Sequence, residues 1–173
     1  MMSDILSVPD AHEIYPGLWL GNCQAAKSAT FLSSAKIEAV MNATKDIPNY
    51  HQHRGVVYHR VAVDDDLQPE SIQKMADEIE QAVAFLKHHY LINKRPVLVH
   101  CFAGMQRSAA IVAAFVLKYS AKDLKNVVRF IRQRRPIAFL GTQPSVLSVN
   151  FWPALTAYES RLQRIRALQA AQK

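Results

Sequence analysis

The sequence predicts an α/β fold, a central and mostly parallel mixed sheet with helices on both faces. Three observations carry that prediction. Short Val-rich runs alternate with segments of helical period along the 173 residues, and the run Val97 to Val99 passes through a short loop into another apolar segment. No repeat, low-complexity tract or linker divides the chain, so one domain spanning 1–173 is expected. Strands that alternate with helices need crossover connections, which place the helices over a parallel sheet.

The elements follow in order. Residues 1–13 read as a loose leader. Ile14 to Leu20 holds a Pro-Gly turn, then Trp19 and Leu20, and ends at Gly21, as a short strand or hairpin does. Ala25 to Ser34 reads as a helix, and Ile37 to Asn42 and Val56 to Val63 as strands. From Pro69 the period changes: Ile72, Met75, Ala76, Ile79, Val83 and Leu86 share one helical face, with Pro69 placed to open the helix. Pro96 to Val99 reads as a buried strand and Ser108 to Tyr119 as an apolar helix. Ser120 to Asp123 offers a capping box for a helix bearing Leu124, Val127, Val128 and Ile131, which Pro136 ends. A last amphipathic helix from about Pro153 carries Leu155, Tyr158, Leu162, Ile165 and Leu168.

Composition narrows the function classes. Half the residues are hydrophobic and one fifth charged, which excludes a disordered chain. A net charge of +7, with basic residues thickening from Lys118 onwards, favours anionic partners: phosphorylated proteins, nucleic acid or acidic lipid. Two cysteines, Cys23 and Cys101, cannot build a disulfide framework, so a reducing, cytoplasmic setting is expected. The opening MMSDILSVPD is not a secretory signal, and the longest apolar run, Ala109 to Leu117, is far short of the roughly 20 residues that span a bilayer. No membrane association is expected.

The run VLVHCFAGMQRS, Val97 to Ser108, carries the chemistry. It sets a cysteine at the end of a buried strand, then five loop residues, then an arginine and a serine opening a helix. Such a loop can turn its backbone N–H groups inward and, with the positive helix end, cradle a tetrahedral anion. Gly104 supplies freedom for a positive φ. Arg107 offers two parallel hydrogen bonds to phosphate oxygens, which a lysine cannot match. The same field favours Cys101 as a thiolate able to attack phosphorus. Ser108 lies where its hydroxyl can donate to the sulfur, and His100 where its ring can orient the loop.

The His100-Cys101 pair, five residues and then Arg107-Ser108 resemble the signature of the protein tyrosine phosphatase superfamily. The Ala103-Gly104 pair resembles that of the dual-specificity branch, as do Ile14 to Gly21, Ala39 to Thr44, Arg132 to Pro136 and Tyr158-Glu159. The resemblance implies hydrolysis of phosphotyrosine and phosphoserine or phosphothreonine in protein substrates through a phosphocysteine intermediate, without cofactor or metal. Loop residues Phe102, Ala103, Gly104, Met105, Gln106 and Arg107 are the expected substrate contacts.

A proton donor for the leaving oxygen must come from another segment, and Asp64, Asp65 and Asp66 are the obvious source. On a strand, Val61, Val63 and Asp65 share one side, and with Tyr58 they match the family pattern. Asp65 is therefore the expected acid, with Asp64 and Asp66 left open. His51, His53, His88 and His89 lack cysteine and carboxylate partners at ligand spacing and are expected on the surface, with no metal site. The 100 residues before Cys101 hold no evident segment to deepen the pocket, so a shallow one is expected. No cation lies between Cys101 and Arg107, which argues against polyphosphorylated lipids.

Two other readings remain. Arg161, Arg164 and Arg166 would suit an RNA 5′-triphosphatase, and a phosphate-binding module without catalysis is the third possibility. The stretch after Pro136 also departs from the branch, which has a Pro-Asn segment supporting the phosphate loop. Here Asn150 stands directly before Phe151, and its support of the loop is an open question.

Overall fold

The computed structural model describes residues 8–141 and 146–172. Strand β1 (Ala11–Tyr15) turns through Pro16 and Gly17 into β2 (Leu18–Gly21), and the two pair antiparallel. Gly17 takes φ +83°, the left-handed conformation that this tight turn requires. Two short helices follow, α1 (Cys23–Lys27) and α2 (Ala29–Ser34), then β3 (Ala39–Asn42) and β4 (Val57–Arg60). Helix α3 (Pro69–Leu86) runs into a π-helical turn, Lys87–Ile92, and leads to β5 (Val97–His100). The chain finishes with α4 (Arg107–Tyr119), α5 (Leu124–Arg134) and α6 (Trp152–Ala171).

The sheet order is β1-β2-β5-β3-β4, parallel except for the β1–β2 hairpin. Strand β5 lies at the centre with all four residues at 0% exposure, which is why it reads as an unbroken apolar run. Val97 and Val99 join the larger core under α3 to α6, whereas Leu98 packs with Ala25, Ala26 and Leu32 of α1 and α2 on the other face. This is the predicted architecture. Gly21, His100 and Asn42 end their strands side by side in register, so the loop after β5 opens at the carboxyl edge of the parallel strands. Ligands bind in such crevices of open α/β sheets.

Several local expectations are corrected. The leader is shorter than predicted: residues 11–13 form part of β1, the Asp10 carbonyl accepts from Asn22 N at 2.9 Å, and residues 1–7 lie outside the described residues. The helix predicted over Ala25 to Ser34 is broken at Ser28, whose hydroxyl accepts from Phe31 N and caps a second helix. The strand predicted to Val63 stops at Arg60 because its partner β3 ends at Asn42; Val61 and Val63 stay buried without a ladder. Asp123 caps α5, accepting from Asn126 N at 2.8 Å, and Glu159 Oε1 accepts from Leu124 N at 2.7 Å, while Ser120 Oγ accepts from Lys122 N and takes no part in the cap. Ile165 and Leu168, expected on the apolar face of this helix, are exposed. His51 and His89 are buried rather than superficial. His51 Nε2 meets the Lys27 carbonyl at 3.0 Å, and the His89 ring packs on Phe85. Among the described residues no helix is long and apolar enough to cross a membrane.

Candidate active site

Helix α4 is buried along nearly its whole length, and this fixes its N-terminal turn beneath the end of β5. Between them, residues 101–106 wrap around the Cys101 sulfur, which accepts from Gly104 N and Ser108 Oγ at 3.2 Å each. Cys101 itself is only 2% exposed. Gly104 takes φ +67°, and a Cβ there would stand 2.5 Å from the Gly21 carbonyl oxygen. Both the conformation and the close approach therefore demand glycine.

The loop is held from behind through its carbonyls. That of Cys101 faces His100 Nδ1 at 3.3 Å, and that of Phe102 accepts from Cys23 N at 3.0 Å. Those of Ala103 and Gly104 accept from Arg135 Nη2 and Nε at 3.2 and 2.8 Å, and that of Met105 from Phe139 N at 2.8 Å. With five successive oxygens turned toward the scaffold, the loop is fixed around the sulfur. His100 faces an oxygen, so Nδ1 is the donor. Burial pushes its pKa down to about 4, helped by Arg60 and Arg107 against the Cys101 carbonyl, and the ring stays neutral.

Arg135 is the unexpected member. It is 0% exposed, and its Nη1 reaches the Pro9 carbonyl and His12 Nδ1 at 3.2 and 2.8 Å. Burial lowers the His12 pKa, aided by Arg135, so its Nδ1 is available as an acceptor. Burial also lowers the Arg135 pKa, opposed by the charges of Cys101 and Asp10. The guanidinium thus sits where an ionised sulfur would attract it. A signal was present: Leu124, Val127, Val128, Ile131 and Arg135 continue one helical stripe, which places Arg135 on the buried face.

The three aspartates separate by environment. Asp64 pairs with Lys45. Asp66 accepts from Gln68 N at 3.0 Å at the start of α3; the Ser71 hydroxyl first, then that amide, hold its pKa below the usual value. Asp65 and Asp66 both border the cleft, and Asp65 differs in that its Oδ1 accepts from Asn150 Nδ2 at 2.8 Å. Asn150 in turn donates its backbone N–H to Gln106 Oε1 at 3.1 Å. Gln106 Nε2 donates to the Leu140 and Ser148 carbonyls at 2.9 and 2.7 Å. The question over Asn150 is thereby answered in structural terms: it ties the Asp65 segment to the loop.

Cys101, Arg107, Asp65 and the loop side chains Phe102, Ala103, Met105 and Gln106 border one cleft of about 810 Å³. Arg107 Nη1 donates to the Val63 carbonyl at 3.3 Å, and its buried Nε has no partner among the described residues. Gln106, expected as a substrate contact, is 5% exposed with its amide engaged by the neighbouring strip. Leu67, Leu140 and Val146 complete the rim, and nothing in the sequence marked them. Among the described residues, no three His, Cys, Asp or Glu side chains cluster as metal ligands would.

The comparisons with known proteins bear on this geometry. The family model described as dual specificity phosphatase, catalytic domain, matches residues 18–161. Human dual specificity protein phosphatase 21 is 31% identical over 156 residues, covering 90% of this chain and 75% of that protein. The chain spans only 34% of the length of the Drosophila melanogaster relative, dual specificity protein phosphatase Mpk3. Crystal structures of human DUSP28 and of a mouse putative dual specificity phosphatase complexed with zinc tungstate superpose with TM-scores of 0.74 and 0.76. They are 26% and 25% identical, and the matches cover 90% and 96% of this chain and 96% and 97% of theirs. The chain belongs to the dual specificity phosphatases, cysteine-dependent protein phosphatases of the protein tyrosine phosphatase superfamily.

Proposed function

We propose that this cleft hydrolyses phosphotyrosine and phosphoserine or phosphothreonine in proteins, with Cys101 as nucleophile, Arg107 as phosphate clamp and Asp65 as general acid. One observation carries the reading: the Cys101 sulfur receives two donors at 3.2 Å in the same cleft that Arg107 and Asp65 border. The thiolate attacks phosphorus in line, forming the S–P bond as the P–O bond to the leaving group breaks and Asp65 protonates the departing oxygen. Inward loop amides and Arg107 hold the equatorial oxygens. Asp65 then takes a proton from the water that attacks the phosphocysteine. The S–P bond breaks, and the Ser108 hydroxyl supports the returning thiolate. The tungstate named with the mouse structure is a tetrahedral oxyanion, consistent with a phosphate site of this kind.

Phe102 and Leu67, 66% and 61% exposed, stand at the rim, where a tyrosine ring can pack while a shorter phosphothreonine still reaches the sulfur. The RNA reading is not favoured, because two of its three arginines are engaged within the fold: Arg161 pairs with Glu80, and Arg166 donates to the Leu117 carbonyl at 2.7 Å. A free catalytic thiol suits the cytoplasm, where we place the protein. Phosphate release from phosphotyrosine and phosphothreonine peptides, on wild type and Cys101→Ser in metal-free buffer, tests the proposal. Both peptides are expected to turn over with wild type and neither with the variant; Cys101→Ser activity near that of wild type refutes it.

A further inference from the structure

Behind the cleft wall lies a second cavity, of about 450 Å³, between α5 and the segment that follows it. Lys125, Arg129 and Arg132 supply its charge, and Val128, Leu147 and Trp152 its apolar surface. None of its lining residues is a carboxylate, and none of the three cations forms an ion pair among the described residues. Arg132 Nε is buried with no hydrogen-bond partner among the described residues, and Leu147 is 51% exposed. Cations without ion-pair partners, set beside apolar surface, are complementary to an anionic and partly apolar partner.

We propose that this groove docks an acidic segment of the protein substrate, with carboxylates at alternate positions beside an aliphatic residue. The spacing of the cations selects this occupant. Positions 125, 129 and 132 of α5 are separated along the helix axis by about 6 and 4.5 Å at roughly 1.5 Å per residue. Same-side residues of an extended peptide lie about 6.8 Å apart, so successive carboxylates can meet successive cations. A single phosphate would need the three cations to converge on one point. The position of the groove completes the argument. Val146, Ser148 and Asn150 border the catalytic cleft, while Leu147 and Trp152 border the groove, so one strip of chain is the wall between them. A substrate held by its phosphorylated residue can cross that wall and lay its flank along α5. The link to substrates rests on the phosphatase reading above; the binding itself does not.

The test uses the whole chain and a fluorescein-labelled, unphosphorylated peptide with Asp at alternate positions around a Leu, beside a control with Asn for Asp. Lys125→Glu/Arg129→Glu is the variant: both positions are exposed and neither borders the cleft. Fluorescence anisotropy should show the Asp peptide binding wild type, with affinity falling about tenfold or more for the Asn peptide and for the variant, and weakening with salt. Turnover of a small aryl phosphate should stay within about twofold of wild type, while kcat/KM on a phosphopeptide carrying the acidic segment falls. Equal binding of the Asp and Asn peptides, or an unchanged variant, would overturn the proposal. So would preferential binding of a single-stranded RNA oligonucleotide that the variant loses. The binding comparison uses no turnover, so failure of the groove and failure of the phosphatase reading are separately visible.

Discussion

Replacing Asn150 by alanine removes one hydrogen bond to the proposed acid and leaves the rest of the cleft in place. Its Nδ2 donates to Asp65 Oδ1 at 2.8 Å, so the proton that Asp65 delivers belongs on Oδ2, and the carboxyl is held with that oxygen free. The backbone link from Asn150 N to Gln106 Oε1 survives the substitution. A hydrogen bond to a partly exposed carboxyl contributes about 1–1.5 kcal/mol, which corresponds to roughly 5- to 12-fold in kcat/KM if it serves only the transition state. Asp65→Asn should cost far more, about 10²–10⁴, the usual worth of a positioned proton donor.

The double variant separates positioning from catalysis. Once Asp65 is Asn, losing Asn150 should cost less than about twofold, because the two side chains act as one unit. Both losses should shrink on an aryl phosphate whose leaving group departs without a proton. Steady-state phosphate release from a phosphothreonine peptide and from such an aryl phosphate supplies the four rates for each substrate. Additive penalties would refute the assignment, as would a loss from Asn150→Ala that ignores the leaving group. If Asp64→Asn or Asp66→Asn carries the leaving-group signature instead, the acid has been placed at the wrong residue.

Three further predictions rest on the same geometry. Arg107→Lys should be nearly as damaging as Arg107→Ala in phosphopeptide turnover, because a point charge cannot supply two parallel donors; near wild-type activity in the lysine variant would exclude a bidentate role. Gly104→Ala should lower kcat/KM by more than about tenfold and also destabilise the fold, since left-handed backbone costs a side-chain-bearing residue about 1–2 kcal/mol and the new methyl collides with the Gly21 carbonyl. An alanine variant with unchanged rate and melting temperature contradicts it. His100 has a folded pKa of about 4 against an ordinary 6.5, so between those values the unfolded chain binds the extra proton. Stability should therefore rise with pH across that window, by about 3 kcal/mol from this one group. Urea titrations at pH 4.5 and 7 measure it, and a His100→Asn variant retaining the full pH dependence would assign the effect elsewhere.

The parts of this protein that depend on near neighbours in the chain were legible in its sequence. Period alone places Met75, Ile79, Val83 and Leu86 on the buried face of α3, and β5 reads as a central strand because both its faces are covered. The Cys101 to Ser108 spacing identifies the loop because a strand end, an anion cradle and a helix start must follow one another directly. Strand length was less legible: β4 stops where β3 runs out of residues to pair, a fact about another segment. The same applies to Asp65. Alternation argued for its side of the chain, but Lys45 engages Asp64, Gln68 and Ser71 engage Asp66, and Asn150 reaches Asp65 across 85 positions. Such pairings come from tertiary contact, which no local pattern encodes.

Loop shape is the deepest case of this dependence. An eight-residue signature from Cys101 to Ser108 names the reacting groups, yet those residues do not by themselves turn their amides inward. Each peptide plane can point its oxygen either way, and what decides is a donor waiting on the scaffold side. Those donors come from Cys23 at the start of α1, His100 at the end of β5, Arg135 at the end of α5, and Phe139 beyond it. Arg135 serves two carbonyls, and its other arm is held by Pro9 and by His12 of β1. A cation is the fitting choice for that place. It neutralises several carbonyl dipoles at once and, behind the same loop, would attract the negative charge that the proposed nucleophile Cys101 needs. The separation of Arg135 from Cys101 along the chain explains why a short motif reports what the loop does while the rest of the fold determines whether the loop can do it.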